Sequence, residues 1–277
     1  IFEKREQLGG IVRYVIPGFR IGEFGIDHDV ELLKKMGAEI MTNTAAPSVA
    51  ELKKSGYTHV IFATGAWAHG NLRLEKGDCM NVLDFLEQYK AETLPDIGDH
   101  VVVIGGGNTA MDAARAAKRT KGVLSSKIVY RRNRRYMPAD EEELQLALDE
   151  GVEFGELLTP VSLENGMLTC RKCKLGKPDA SGRPASVETD ETVTIPCTLL
   201  ISAIGEKVEP SDFADNGIDL TERGKVKVNS DTLETSQENV FAIGDANRGP
   251  ATVVEAIADT RKVADTIVGP YSVTIPE

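Results

Sequence analysis

The sequence predicts an α/β fold of two interleaved three-layer domains, and three observations predict it. Four consecutive β-branched residues, Val101-Val102-Val103-Ile104, lead into Gly105-Gly106-Gly107 and then into helical periodicity at Met111, Ala114, Ala117 and Lys118. An apolar strand ending in an Ala-x-Gly triplet occurs at 57–65, again at 198–205 and again at 239–245. Between such strands lie helical stretches, the alternation that builds parallel sheets.

Length and composition set the bounds. A chain of 277 residues suits two domains of ordinary size, and 41% apolar residues supply their cores. The net charge of -11 opposes general binding of nucleic acid or anionic membrane, since both need an extended basic surface. No apolar run approaches the roughly twenty residues of a membrane span, and no signal peptide opens the chain, so a cytoplasmic protein is expected.

Taken in order, Ile1-Phe2-Glu3 reads as the end of a strand that places a carboxylate. Asp27 to Met36 is helical in pattern, 37–41 reads as a short strand, and Glu51 to Lys54 lies on another helix before the 57–65 strand. Val82 to Lys90 has helical periodicity. The stretch 94–99 has the composition of a linker and marks a domain boundary. Lys127 to Tyr130 is a second strand beside Val101 to Ile104. Pro138 to Asp149 is a Pro-started helix whose Glu141, Glu142 and Glu143 read as solvated charges of its first turns. Residues 152–200 alternate and turn often, which predicts a β meander with a hairpin tip at 177–184.

The chemistry sits at the strand ends. In the glycine loop, the form GxGxxA with Ala110 in the last place lets the backbone turn so that the next helix N-terminus faces a pyrophosphate. The residue ending the second strand is Arg131, followed by Arg132, Arg134 and Arg135, where an acid would read a ribose 2′-hydroxyl. Guanidinium groups there suit a 2′-phosphate, hence NADPH. At the third strand-loop, Gly244-Asp245 delivers a carboxylate suited to a polyol, and Ala251-Thr252-Val253 open a helix after Pro250 whose N–H groups point back toward it.

The cysteines and histidines point elsewhere. Cys79, Cys170, Cys173 and Cys197 include one CxxC, but Cys170 and Cys173 fall in a strand-like stretch where a separation of three sends the thiols to opposite faces. No second ligand pair accompanies them, so no metal site is expected. His28, His59, His69 and His100 sit beside no matched Cys, Ser or carboxylate in a recognisable arrangement, and no catalytic residue is assigned.

These motifs carry a resemblance. The chain resembles the FAD- and NADPH-binding portion of the glutamate synthase small subunit and dihydropyrimidine dehydrogenase group of oxidoreductases, and within it most closely the selenate reductase subunits. The likeness runs over essentially the whole chain: 8–17, Ala63 to Trp67, Gly105 to Asp112, Tyr130 to Arg132 with Met137-Pro138, and Gly244-Asp245 through Ala258. It implies FAD held by Glu3, Gly9, Gly10, Thr64, Gly65, Asp245 and the helix after Pro250, with Gly205 and Gly244 as further close-approach glycines. It implies NADPH held by Gly105, Gly106, Gly107, Asn108 and Thr109, with Arg131, Arg132 and Arg135 near the 2′-phosphate. The expected domains are a discontinuous FAD domain (1–95 and 207–277) and an inserted NADP domain with the meander (96–206), both Rossmann-like.

The resemblance also implies the activity: hydride passes from NADPH to FAD, and electrons then leave to iron–sulfur clusters or an acceptor subunit. The first FAD strand-loop and the iron–sulfur domain would lie before Ile1. Two alternatives stand beside this one. A thioredoxin-reductase-like disulphide oxidoreductase would need a cysteine pair facing the flavin, and a non-catalytic nucleotide-binding module would need neither flavin nor acceptor.

Overall fold

The computed structural model describes residues 1–178, 182–222 and 224–269. The chain divides into two compact units, one of Ile1–Leu8, Val30–Ala68 and the chain from Gly205 on, the other of Gly9–Asp29 and His69–Ile204. Residues 9–29 and 69–95 therefore group with the Val101 strand, whereas the linker at 94–99 suggested a division there.

In the first unit, β1 (Val60–Phe62) pairs in parallel with β10 (Val240–Ala242), in the register Phe62 to Ala242. On one side of this pair, Val240 and Ala242 pack with Val49 of α3 (Val49–Lys54), Ala246 of α8 (Asp245–Arg248) and Phe213 of α7 (Ser211–Ala214). Phe62 meets Phe213 with ring centroids 5.1 Å apart. Phe241 faces the other way, onto Leu233 and Val263 of α9 (Val253–Val268). The expected strands at 1–3 and 37–41 meet as a single parallel bridge, Phe2 to Met41.

The second unit holds a parallel sheet in the order β2 (Met80–Asn81), β9 (Leu199–Ser202), β3 (His100–Ile104), β4 (Ser125–Tyr130), β5 (Glu153–Glu156). The central strand is buried on both faces, which is why it reads as unbroken valine and isoleucine. One face carries α5 (Asn108–Arg119), whose Ala110, Met111, Ala113, Ala114, Ala116 and Ala117 are fully buried. Small side chains let this helix sit close to the sheet, and the Ser126 hydroxyl donates to the Ala114 carbonyl at 2.8 Å. The short α1 (Gly10–Tyr14) and α4 (Val82–Lys90) belong to the same unit, while α2 (Glu23–Lys35) spans the division between units.

The opposite face of the sheet is covered by an antiparallel meander of β6 (Leu158–Glu164), β7 (Met167–Pro178) and β8 (Pro184–Pro196). Val102, Ile104, Val129 and Leu200 from the sheet pack with Leu168, Cys170, Ile195 and Cys197 from the meander. The layers are helix, sheet, sheet. Residues 153–156 leave the predicted meander to become the parallel edge strand β5, because the α6 helix (Glu141–Asp149) before them completes a crossover from β4. The predicted hairpin tip at 177–184 lies partly outside the described residues.

Three other expectations are corrected. The acid-rich helix starts at Glu141, because Asp140 before it is extended (φ -62°, ψ 140°) and serves as N-cap, while the Ala139 N–H donates to the Gly106 carbonyl at 2.9 Å. Glu143 is not a solvated charge: it binds Arg20 at 2.6 Å and its side chain is only 16% exposed. Cys170 and Cys173 are both buried, where the β7–β8 register shifts between Arg171 and Cys173 and β8 carries two residues more than β7.

Candidate functional site

The glycine loop of the second unit shows what each glycine is for. A Cβ on Gly105 would lie 2.6 Å from the Ala203 carbonyl oxygen, and one on Gly106 would lie 2.6 Å from the Tyr130 ring. Both are required by internal packing. Ala110, fully buried beside Gly105, is small for the same reason. A Cβ on Gly107 would meet nothing within 4 Å, and its φ of -98° suits any residue. Neither packing nor backbone asks for a glycine there, and the space beside the N–H groups opening α5 is open.

A short segment after β4 brackets this loop. The Tyr130 hydroxyl donates to the Tyr136 carbonyl at 2.8 Å, which holds that segment over the glycines. Asn108 Nδ2 donates to Asp140 Oδ2 at 3.0 Å, and the Asp140 N–H returns a bond to Asn108 Oδ1 at 3.0 Å. The Asn108 side-chain amide therefore ties the loop to the N-cap of α6. Thr109 is half-buried beside it.

The arginines separate into different roles. Arg131 and Arg135 are exposed, and Arg135 lies 5.9 Å from the Tyr136 ring centre. Arg134 reaches Glu141 at 3.5 Å. Arg132 is 3% exposed, and its Nε donates to the Pro184 carbonyl at 2.6 Å. Of the expected phosphate contacts, Arg131 and Arg135 are presented to solvent and Arg132 is turned into the protein.

An ion-pair cluster fixes the helices behind the loop. Arg20 bridges Asp112 at 2.9 Å and Glu143 at 2.6 Å. Arg115 and Arg119 both bind Glu150, at 2.6 and 2.8 Å, and both lie over the Phe19 ring, at 4.6 and 4.3 Å. The Arg119 and Arg115 bonds hold the Glu150 carboxyl down at about 2. Burial pushes the Asp112 carboxyl up, against the pull of Arg20.

In the first unit, three loops meet at the C-terminal ends of β1 and β10. The Ile243 N–H donates to the Phe62 carbonyl at 3.0 Å, which sets Thr64-Gly65 beside Gly244-Asp245. Ala68 and Lys207 exchange backbone hydrogen bonds at 2.9 and 2.8 Å, which brings Gly205 and Glu206 to the same edge. Gly65 has φ +76°, and its Cβ would lie 3.3 Å from the Trp67 indole nitrogen; Arg5 stacks over that indole at 4.4 Å. Glu3 accepts the Arg5 N–H at 2.8 Å and lies half-buried on the Phe2–Met41 bridge.

Asp245 is partly engaged within the loop. Its Oδ1 accepts the Ala251 N–H at 3.1 Å, and burial pushes its carboxyl above the usual range. Thr252 caps α9 in a capping box with Glu255, so the hydroxyl and carboxylate of that box satisfy the N–H groups of Glu255 and Thr252. Val253 is exposed at the helix start. Glu206 Oε1 is buried with no hydrogen-bond partner among the described residues, and its charge raises the Asp245 carboxyl further. An orphaned oxygen beside a half-buried Asp suits a ligand with several hydroxyl donors. Gly9 (φ +123°) and Gly10 (φ +49°) open α1 and belong to the second unit.

Glu206, Asp140 and Arg20 were not singled out in the sequence. Asp140 carried a signal as the polar residue preceding a helical run, and Arg20 carried none, since its partners lie 92 and 123 positions away.

His100 departs from expectation. The β3–β4 register sets it opposite Ser125, and its Nδ1 lies 2.7 Å from the Ser125 hydroxyl. Its Nε2 stands 3.7 Å from Asp99, too far for a hydrogen bond, so the three form no proton relay. The strand starts that hold them are remote from the glycine loop.

The thiols are free, and Cys170, Cys173 and Cys197 are buried. Burial pushes the thiols of Cys170 and Cys197 up to about 12. A redox pair needs accessible thiolate, which these two do not offer.

"Putative oxidoreductase YgfK" of Escherichia coli (strain K12) is 40% identical over 97% of this chain and 26% of that protein. The small chain of the NADPH glutamate synthase of Azospirillum brasilense is 33% identical over 96% of this chain and 60% of that one. The chain thus spans between a quarter and three fifths of these relatives. The structure of Mycobacterium tuberculosis FprA in complex with NADPH has the same fold, with a TM-score of 0.81 at 20% identity over 96% of this chain and 76% of that chain. The family described as pyridine nucleotide-disulphide oxidoreductase matches residues 26–260, and the chain belongs to that family.

Proposed function

We propose that the chain is the nucleotide-handling part of an NADPH-dependent flavin oxidoreductase, moving hydride from NADPH to FAD and electrons onward to iron–sulfur clusters or an acceptor subunit. FAD, when bound, supplies a two-electron acceptor that can release electrons singly. The observation that carries the reading is Gly107, whose missing side chain leaves open space at the N-terminus of α5.

The residues divide the work between the two nucleotides. Gly105 and Gly106 shape the turn, and the Gly107, Asn108 and Thr109 backbone admits a pyrophosphate. Arg131 and Arg135 take the 2′-phosphate. Thr64, Gly65, Gly205, Gly244 and Asp245, with Glu3, Gly9, Gly10 and the segment Ala251-Thr252-Val253, serve the flavin nucleotide. No side chain here is asked to act as nucleophile or general base; orientation and exclusion of water are the protein's part.

Among the described residues, no helix is long and apolar enough to cross a membrane. The free thiols suit a reducing compartment, and we place the protein in the cytoplasm. The buried thiols oppose a disulphide reductase.

The test is the visible spectrum of the full-length protein under anaerobic NADPH. A flavin band that bleaches on addition is the expected result. A protein without flavin, or flavin that stays oxidised with excess NADPH, would contradict the function.

A further inference from the structure

The β7–β8 hairpin touches the arginine loop at two points. The Ser186 hydroxyl donates to the Arg131 carbonyl at 2.9 Å, and Arg132 Nε donates to the Pro184 carbonyl at 2.6 Å, across 55 and 52 positions of sequence. Bulges between Arg171 and Cys173 and between Leu175 and Pro178 bend the arm. Gly176 lets its strands close up, since a Cβ there would lie 2.8 Å from the Val187 side chain.

The loop is held from its other side by β5 and the residue after it. The Leu157 N–H donates to the Arg132 carbonyl at 3.1 Å, and the Arg134 N–H donates to Glu156 Oε2 at 2.9 Å. The backbone from 131 to 134 is thereby fixed, while the Arg131 side chain stays exposed and makes no hydrogen bond or ion pair among the described residues. A guanidinium on a fixed backbone loses less freedom when it binds than one on a mobile loop.

We propose that the start of β8 is a specificity element, with Ser186 as a positioning residue that sets the preference for NADPH over NADH through the backbone of Arg131. The inference rests on the reading that residues 131–135 receive the 2′-phosphate. Ser186 touches no nucleotide and acts by aiming the arginine that does.

Dissociation constants for NADPH and NADH, measured by calorimetry on the full-length protein, test it with Ser186→Ala, Ser186→Thr and Arg131→Ala. Loss of one hydrogen bond predicts that Ser186→Ala weakens NADPH binding roughly three- to tenfold and leaves NADH within about twofold. Ser186→Thr keeps the hydroxyl and restores NADPH binding. Equal weakening of both nucleotides, or none for NADPH, overturns the role of the hairpin. If Arg131→Ala leaves the ratio of the two constants unchanged, the phosphate assignment falls and the inference with it. If Arg131→Ala changes that ratio and Ser186→Ala does not, only the hairpin's role falls.

Discussion

At Gly107 neither packing nor backbone geometry requires a glycine, and the proposed function gives the open space there to the pyrophosphate. A methyl group there clashes with nothing and strains nothing, so Gly107→Ala should leave the melting temperature within about a degree of wild type. It should nevertheless weaken NADPH binding about tenfold or more, because the added carbon stands where the pyrophosphate approaches. Unchanged NADPH affinity in a stably folded variant would contradict the assignment. Individual residues were legible where packing dictates their type: Gly105 and Gly106 have no room for a side chain, and Ala110 is fully buried against Gly105. Arg132 was not, because four arginines in five positions look alike until tertiary contacts choose which one is buried.

At the scale of elements, helix α5 and its neighbours are joined by charge as well as by alanine packing. Glu150 has an ordinary value of 4.5 and is held at about 2 in the folded chain, chiefly by Arg119 and then Arg115. A carboxyl lowered by folding contributes stability above its unfolded value and loses it as the pH falls toward the folded one. Glu150→Gln should therefore lower the melting temperature by roughly 2–4 °C at pH 7, for about 1 kcal/mol of a partly exposed cluster. The gap should close between pH 4.5 and about 2. A gap that persists at pH 2, measured by calorimetry, would assign the effect to packing.

The β7 strand makes the complementary point about elements. Alternation along the sequence sent Cys170 and Cys173 to opposite faces, yet both are buried where the β7–β8 register shifts by two extra residues on β8. Bulges leave no composition signal, so this was not readable from the strand itself. With Cys170 and Cys197 raised to about 12 by burial and Cys173 enclosed, only Cys79 is half-exposed. An aromatic disulphide reagent at pH 8 should titrate at most one thiol rapidly in the native protein and all four in guanidinium. Two or more fast thiols would revive the disulphide reductase.

For the whole molecule, the strand-loop repeats and the glycine loop were enough to predict parallel sheets, and the alternation over 152–200 a meander. The boundaries between units were harder. Residues 69–95 lie before the linker-like 94–99 segment yet group with the Val101 strand, since β2 pairs with β9 and α4 belongs to that unit. Pairing between strands over a hundred positions apart is set by the sheet, and no local composition reports it.

The central claim, a chain that selects NADPH at residues 131–135 in order to reduce a flavin, is tested most directly by anaerobic stopped-flow. Flavin bleaching would be followed with NADPH and with NADH in the full-length protein and in Arg131→Glu. Charge-assisted phosphate contacts contribute about 1.5–3 kcal/mol each, so the half-saturating NADPH concentration should rise tenfold or more in the variant, with NADH little changed and the limiting rate retained. Equal losses with both nucleotides, or a wild-type flavin that neither reduces, would contradict it.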